Sequence, residues 1–162
     1  MALSPAGLSR ELAFEHVLRD ELFLICPLDH PLAGQAIVNL ADIAAHPVLM
    51  PDPASSTRAF IEQAFAQAGL ELRVAMELER WHVIKEFVAL NQGIALVPGF
   101  SVAEDSARLA VRPVSSGLPT LTYGIVTRKG RHLPAPVRSL IEAIRVRSAM
   151  LRFEAQFPFR HQ

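Results

Sequence analysis

Cysteine, aromatic residues and long apolar runs are scarce in this sequence, and each absence narrows what the chain can be. The single cysteine, Cys26, cannot form an internal disulfide, so no oxidising compartment is required. No apolar run approaches the roughly 18 residues of a membrane span. The first twenty residues carry five charged side chains, which argues against a secretory leader. We therefore expect a cytoplasmic protein with no membrane partner.

Motifs that carry catalysis or hold cofactors are missing as well. The sequence has no Gly-x-Ser-x-Gly elbow, no phosphate-binding P-loop, no Gly-x-Gly-x-x-Gly and no His-Glu-x-x-His. The six histidines are scattered, and no two stand at a metal-ligand spacing. Cys26 lies in an apolar run, where a thiol is usually inert packing. We therefore predict no catalytic residue, no metal and no cofactor, although the missing motifs alone do not exclude an enzyme.

The net charge of the chain is zero, but its acidic and basic residues are unevenly distributed. The chain has 16 basic and 16 acidic residues. Residues 1–127 hold 14 acids and 8 bases, whereas residues 128–162 hold 2 acids and 8 bases. A zero balance argues against a dedicated nucleic-acid binder. The basic end is either a phosphate-seeking patch or, the interpretation we favour, a solvated helix face.

Hydrophobic residues make up 51% of the 162-residue chain, which is typical of one globular domain. Residues 46–98 alternate between short apolar runs and helical periodicity. The predicted elements are a strand over 48–50, a helix over 57–68, a strand over 72–78 with Leu72, Val74, Met76 and Leu78 inward, a helix over 83–91 and a strand over 94–97. Such alternation predicts parallel strands with helical crossovers, whose ligands bind beyond the strands' carboxyl ends.

The flanking segments give fewer signals. Residues 22–26 predict a strand buried on both faces, whereas residues 11–18 fit either a strand or a short helix. Asn39 can cap a helix over 40–45. Residues 121–127 predict another strand, followed by a helix from Pro134 or Ala135 to about Arg152. Its predicted core-facing residues are Val137, Leu140, Ile141, Ile144 and Leu151.

Candidate ligand-binding residues follow three of the predicted strands. Ser55, Ser56, Thr57 and Arg58 open a helix, where free N–H groups, hydroxyls and a guanidinium suit a carboxylate, sulfate or phosphate. The alternative is a plain cap, which Ser56 alone would satisfy. Trp81 follows the next strand and either walls a pocket or anchors the core. The turn Pro98-Gly99-Phe100 either shapes the same pocket or simply stops its strand.

Three segments together resemble the effector-binding domain of LysR-type transcriptional regulators. The first is Glu21-Leu22-Phe23-Leu24-Ile25-Cys26-Pro27-Leu28-Asp29-His30-Pro31-Leu32, continued by Leu40-Ala41-Asp42-Ile43 and Pro47-Val48-Leu49. The second is Trp81-His82-Val83-Ile84-Lys85 with Gly93-Ile94-Ala95-Leu96-Val97-Pro98. The third is the strand over 121–126 with Pro134-Ala135 and its helix. The likeness covers about residues 1–150, and its order and spacing make it specific as a set.

The resemblance implies an α/β fold like that of type 2 periplasmic binding proteins, with two lobes joined by two crossover strands. Lobe II would cover residues 28–121, and lobe I residues 1–27 and 122–162. A small anionic or carboxylated metabolite would contact Ser55, Ser56, Thr57 and Arg58, with the turns at Trp81 and at Pro98, Gly99 and Phe100 lining the cleft. Ser4 would contribute from lobe I. The helix over 57–68 would face a second subunit in a homodimer or larger homo-oligomer.

Two parts of the family pattern are missing. We find no winged helix-turn-helix, and residues 1–3 align best with the third strand of lobe I, so we expect lobe I to be incomplete and the chain to be a fragment. DNA binding would then belong to a domain absent from this chain. The predicted function is effector sensing by a regulator, so we predict that the chain is not an enzyme. The alternatives are a solute-binding protein used for transport and an enzyme of related architecture.

Overall fold

The three predicted ligand-binding segments follow strands of one five-stranded sheet. The computed structural model describes residues 2–3, 10–102, 108–115 and 117–155, with side chains over 10–102, 108–115 and 117–148. The strands are β1 (Ala2–Leu3), β2 (Leu12–Asp20), β3 (Leu22–Pro27), β4 (Val48–Pro51), β5 (Val74–Leu78), β6 (Ile94–Pro98), β7 (Leu109–Pro113) and β8 (Leu121–Arg128). The helices are α1 (Leu40–Ala44), α2 (Ser56–Gln67), α3 (Trp81–Ala89) and α4 (Ala135–Ala155), with 3-10 turns over Pro31–Gly34 and Gly99–Ser101.

Contacts divide the chain into two compact units. Unit 2 is Asp20–Thr120, and unit 1 combines Met1–Arg19 with Leu121–Gln162. The division by contacts falls before β3 because β3 pairs with β6 and β7, both of which belong to the sheet of unit 2. The predicted lobe bounds, 28–121 for lobe II and 1–27 with 122–162 for lobe I, stay a prediction.

The sheet of unit 2 has the strand order β5-β4-β6-β3-β7. β4 pairs in parallel with β5 and with β6, whereas β3 is antiparallel to both of its neighbours. Because α2 and α3 connect the three parallel strands, the predicted strand–helix–strand–helix–strand order is confirmed. The carboxyl ends of β5, β4 and β6 therefore lie along one edge of the sheet.

The core of unit 2 sits around its central strands. Every residue of β4 and β6 is buried, and β3 is buried except at the half-buried Phe23. The edge strand β5 departs from prediction. Val74, predicted to point inward, is 40% exposed, because β5 has a neighbouring strand on one side only.

One local signal in unit 2 acts as the sequence predicts, at the start of α1. Asn39 caps α1: its Oδ1 accepts the N–H of Asp42 at 2.9 Å, and Asp42 Oδ2 accepts the N–H of Asn39 at 3.3 Å. This is a capping box, which satisfies two backbone donors at once. Gly93 ends the loop after α3 with φ of 150°, a conformation that favours glycine.

Unit 1 contains a three-stranded sheet of order β1-β8-β2 and the 21-residue helix α4. The ambiguous segment over 11–18 is a strand. In α4, Ile141 is buried as predicted, but Val137 and Leu140 are 39% and 60% exposed, which corrects their predicted core positions. The physical reason is that helical periodicity groups apolar residues on one face but does not determine how much of that face other elements cover. Among the described residues, no helix is both long and apolar enough to cross a membrane.

Candidate functional site

The three predicted ligand-binding segments of unit 2 follow three neighbouring parallel strands. Pro51 of β4 is level with Leu78 of β5, and β4 continues into the loop before α2. β5 continues into the start of α3, and β6 into the Gly99–Ser101 turn. Parallel strands that end at one edge bring the loops after them together, which is the usual position of a ligand site in such sheets.

The start of α2 leaves backbone donors available. Ser55 occupies the N-cap position with an extended backbone, and its side chain makes no capping bond. The plain-cap alternative assigned to Ser56 is therefore wrong, since the helix already begins at Ser56. Ser56 is exposed, Ser55 is half-buried and Thr57 is buried. The first N–H groups of a helix have no partner inside it and carry the positive end of its dipole.

Arg58 makes contacts that the sequence does not reveal. Its Nε donates to Glu62 at 2.7 Å, and its Nη1 donates to Glu77 at 2.6 Å and to the carbonyl of Pro51 at 3.2 Å. The hydrogen bonds that Arg58 donates to Glu62 and then to Glu77 raise its pKa. Its side chain is only 12% exposed. The guanidinium therefore ties α2 to the ends of β4 and β5.

The second segment places an aromatic ring and a cation at the start of α3. Trp81 is the first helical residue, and it is half-buried against the hydrophobic cluster that contains Ile84 and Val97. Both sequence interpretations of Trp81 stay open, since the residue packs against this cluster and is still partly exposed. Arg80, at the N-cap position, is exposed and makes no side-chain cap. Arg80 is not among the residues predicted from the sequence, although its position before the helix is a usable signal.

The third segment is held by residues that were not predicted from the sequence. Pro98 is buried, Gly99 is half-buried and Phe100 is 48% exposed. The N–H of Phe100 donates to Asp20 Oδ2 at 3.1 Å, and the N–H of Gly99 donates to the carbonyl of Glu21 at 3.0 Å. Burial raises the pKa of Asp20, despite the backbone N–H groups that stabilise its carboxylate.

The remaining candidates do not add to this site. Ser4, the predicted contact from lobe I, lies outside the described residues. Cys26 is fully buried, and this burial raises the pKa of its thiol, so a reactive thiolate is disfavoured. No group of three or more His, Cys, Asp and Glu side chains within the described part of the chain is placed to hold a metal ion.

Comparison with known proteins assigns the chain to a family. Residues 1–149 match the profile of the LysR substrate binding domain, so the chain belongs to that family. The RuBisCO operon transcriptional regulator of Allochromatium vinosum is 28% identical over 125 residues, which are 76% of this chain and 41% of the relative. The chain thus spans less than half the length of this relative. The predicted resemblance is confirmed.

Solved structures agree with this assignment. The regulatory domain of Synechocystis PCC6803 CcmR in complex with 2-PG superimposes with a TM-score of 0.78 at 19% identity, covering 90% of this chain and 70% of that one. The effector-binding domain of QuiR in complex with shikimate gives 0.76 at 16% identity, covering 87% and 66%. These likenesses show the fold. They confirm the predicted α/β class, that of the type 2 periplasmic binding proteins.

Proposed function

We propose that this chain is the effector-binding and oligomerisation domain of a LysR-type transcriptional regulator. It senses a small anionic metabolite and so controls DNA binding by a helix-turn-helix domain outside this chain. One observation carries the proposal: the segments starting at Ser55, Arg80 and Pro98 follow three neighbouring parallel strands at one edge of the sheet. In this proposal unit 2 corresponds to lobe II and unit 1 to lobe I.

The chemistry of that edge favours an anion. Two helices, α2 and α3, begin there without a side-chain cap, whereas α1 has a complete capping box. Uncapped N-termini offer N–H donors and a positive dipole to a bound carboxylate or phosphate. The exposed Ser56 and Arg80 add a hydroxyl and a charge. The ligands named for the CcmR and QuiR domains, 2-PG and shikimate, are both anionic.

The relationship to known regulators also favours a regulatory function over transport and over catalysis. The relative described above is a transcriptional regulator, so the solute-binding protein used for transport is not favoured. We infer from the same relationship that the chain is not an enzyme, needs no cofactor and acts in the cytoplasm. Subunit contacts are assigned to α2, whose outward residues include Ala59, Gln63 and Ala66, all of them exposed.

Calorimetric titration with charged and neutral ligands tests the proposal. The probes are 2-PG, shikimate, sulfate and the methyl ester of shikimate, which keeps the ring and loses the charge. We expect saturable binding of at least one anion, weaker binding at higher salt, and none of the ester. Fluorescence of Trp81, the single tryptophan, reports on the same edge of the sheet. A folded chain that binds none of the anions would contradict the proposal.

A further inference from the structure

Asp20 lies where the two units of the chain are connected. It is the last residue of β2 and the first residue of unit 2. Glu21 alone separates β2 from β3, which starts at Leu22. The backbone crosses between the units only here and at residues 120 and 121. Asp20 and Glu21 therefore lie at one of the two places where the backbone passes from one unit to the other. We call these two residues the junction.

The same two residues hold the Gly99–Ser101 turn of the candidate site. The carboxylate of Asp20 accepts the N–H of Glu21 through Oδ1 at 2.8 Å and the N–H of Phe100 through Oδ2 at 3.1 Å. The carbonyl of Glu21 accepts the N–H of Gly99 at 3.0 Å. Two consecutive donors of the turn thus bond to two consecutive residues of the junction.

Gly99 makes this close approach possible. A Cβ at position 99 would lie 2.5 Å from Asp20 Oδ1 and 2.9 Å from Cε2 of Phe23. The first distance is far inside ordinary van der Waals contact, so any other residue here would push the carboxylate away. The pairing of Leu22 with Pro98 sets the register that brings the segments together.

We propose that Asp20 is a positioning residue of the effector site, which holds the Gly99–Ser101 turn to the junction. A ligand bound at the turn then changes the protection of the backbone amides at the junction. The inference rests on the function proposed above and adds a route by which unit 2 reports occupancy. Phe100 is half-exposed and can meet a ligand, while its N–H is bonded to Asp20. A carboxylate accepting a backbone N–H makes a charge-assisted bond, which is among the stronger kinds.

Amide exchange without ligand tests the bond itself. The full chain is compared with Asp20→Ala, with the isosteric Asp20→Asn, and with the control Asp42→Asn. Asp42 also accepts a backbone N–H in unit 2, but on α1. We expect the Phe100 amide to exchange about tenfold faster in Asp20→Ala, to a smaller extent in Asp20→Asn, and at the unaltered rate in Asp42→Asn. An unchanged rate in both Asp20 variants would overturn the inference.

Exchange with 2-PG or shikimate present tests the route. In the unaltered chain we expect the probe to slow exchange at residues 55–57, 99–101 and 18–22. In Asp20→Ala residues 55–57 remain protected by the probe, and residues 18–22 no longer respond. If residues 18–22 respond equally in Asp20→Ala, the inference alone is overturned. If the unaltered chain responds to neither probe, the proposed function is contradicted and the inference fails with it.

Discussion

At the scale of single residues, the guanidinium of Arg58 lies between two carboxylates. Glu62 is one helical turn away on α2, and Glu77 is on β5. The side chains of both glutamates are about half-exposed, at 49%, whereas that of Arg58 is 12% exposed. The positive charge of Arg58 is therefore already compensated inside unit 2, and its first role is to hold α2 against the sheet.

Arg58→Met, which keeps the apolar stem and removes the charge, is expected to lower the free energy of unfolding by about 1 kcal/mol. The expected loss of stability is this small because both glutamates are partly exposed, so that solvent screens their attraction to Arg58. The matched control is Arg108→Met, because Arg108 pairs with Glu86 while both side chains are more than half-exposed, and we expect about half that loss or less. Denaturant unfolding measures both variants. A larger loss for Arg108→Met would contradict the role given to Arg58.

His30 couples the stability of the chain to pH. Its Nδ1 accepts the N–H of Leu32 at 3.2 Å, and its ring lies 4.6 Å from that of His46. Burial, and then the neighbouring His46, lower the pKa of His30 from 6.5, while Asp29 opposes the shift. The folded chain thus binds fewer protons than the unfolded chain just below pH 6.5, so stability falls as the pH drops through that range.

His30→Asn removes the titration and keeps an acceptor suited to the same cap. We expect the variant to lose less stability than the unaltered chain between about pH 7.5 and about pH 5.5. Denaturant unfolding at both values measures this difference, and all other titrating groups remain the same in the two proteins. Identical pH dependence would show that His30 is not the group responsible.

At the scale of elements, β6 depends on the glycine that precedes it. Gly93 has a φ of 150°, and a Cβ there would lie 2.7 Å from the carbonyl oxygen of Pro47. That same oxygen accepts the N–H of Ile94 at 3.0 Å. A side chain at position 93 would therefore disturb the backbone where β6 begins to pair with β4.

Gly93→Ala is expected to lower the free energy of unfolding by about 2 kcal/mol or more, through backbone strain and the clash with Pro47. Gly34→Ala is the matched control, because a Cβ at Gly34 meets nothing within 4 Å. The control should change stability by less than about 0.5 kcal/mol. Thermal and denaturant unfolding compare the two variants, and equal losses would refute the argument from geometry.

Much of unit 2 could be predicted because its elements leave local signals. The apolar runs of β3, β4 and β6 are buried, and the alternation with α2 and α3 required parallel pairing. Asn39 marks the start of α1 through side-chain bonding. These signals act over a few residues, so they can be found without knowledge of the tertiary structure.

Contacts between distant residues could not be predicted in this way. The bonds of Arg58 to Glu77 and of Asp20 to Phe100 join residues 19 and 80 positions apart. The strand β7 escaped prediction because its five residues end in Arg112-Pro113 and have no clear alternation. The exposure of Leu140 depends on which elements pack over α4, which periodicity within one helix does not reveal.

At the scale of the whole molecule, the chain spans less than half of the regulator to which it was compared. The basic residues near its carboxyl end are partly neutralised within unit 1. Arg145 binds Glu15 at 2.7 Å and Glu142 at 3.0 Å, and these partners raise its pKa. This part of the basic segment is therefore a solvated helix face that pairs with the acidic residue Glu15 of β2, as the preferred sequence interpretation held.

Association through α2 is a prediction at this scale. Placing charge on its outward face by the double change Ala59→Arg and Ala66→Arg should disrupt an oligomer, since two desolvated cations would be unpaired. Light scattering after size exclusion should show an oligomer for the unaltered chain and a smaller species for the variant. The control Ala36→Arg makes the same kind of change at an exposed residue outside α2 and should leave the mass unchanged. An unchanged mass for the double variant would contradict the assignment of α2.

The most direct measurement concerns the backbone donor at the start of α2. Ser56→Pro removes one N–H at the first helical position, where proline is well tolerated, and Ser55 before it has φ −72° and ψ 126°, a conformation that proline allows. Ser56→Ala removes only the hydroxyl. By calorimetry with 2-PG and shikimate, we expect about tenfold weaker anion binding for Ser56→Pro, a smaller loss for Ser56→Ala, and equal stability of the two variants. Anion binding that Ser56→Pro leaves unchanged would contradict an effector site at this edge.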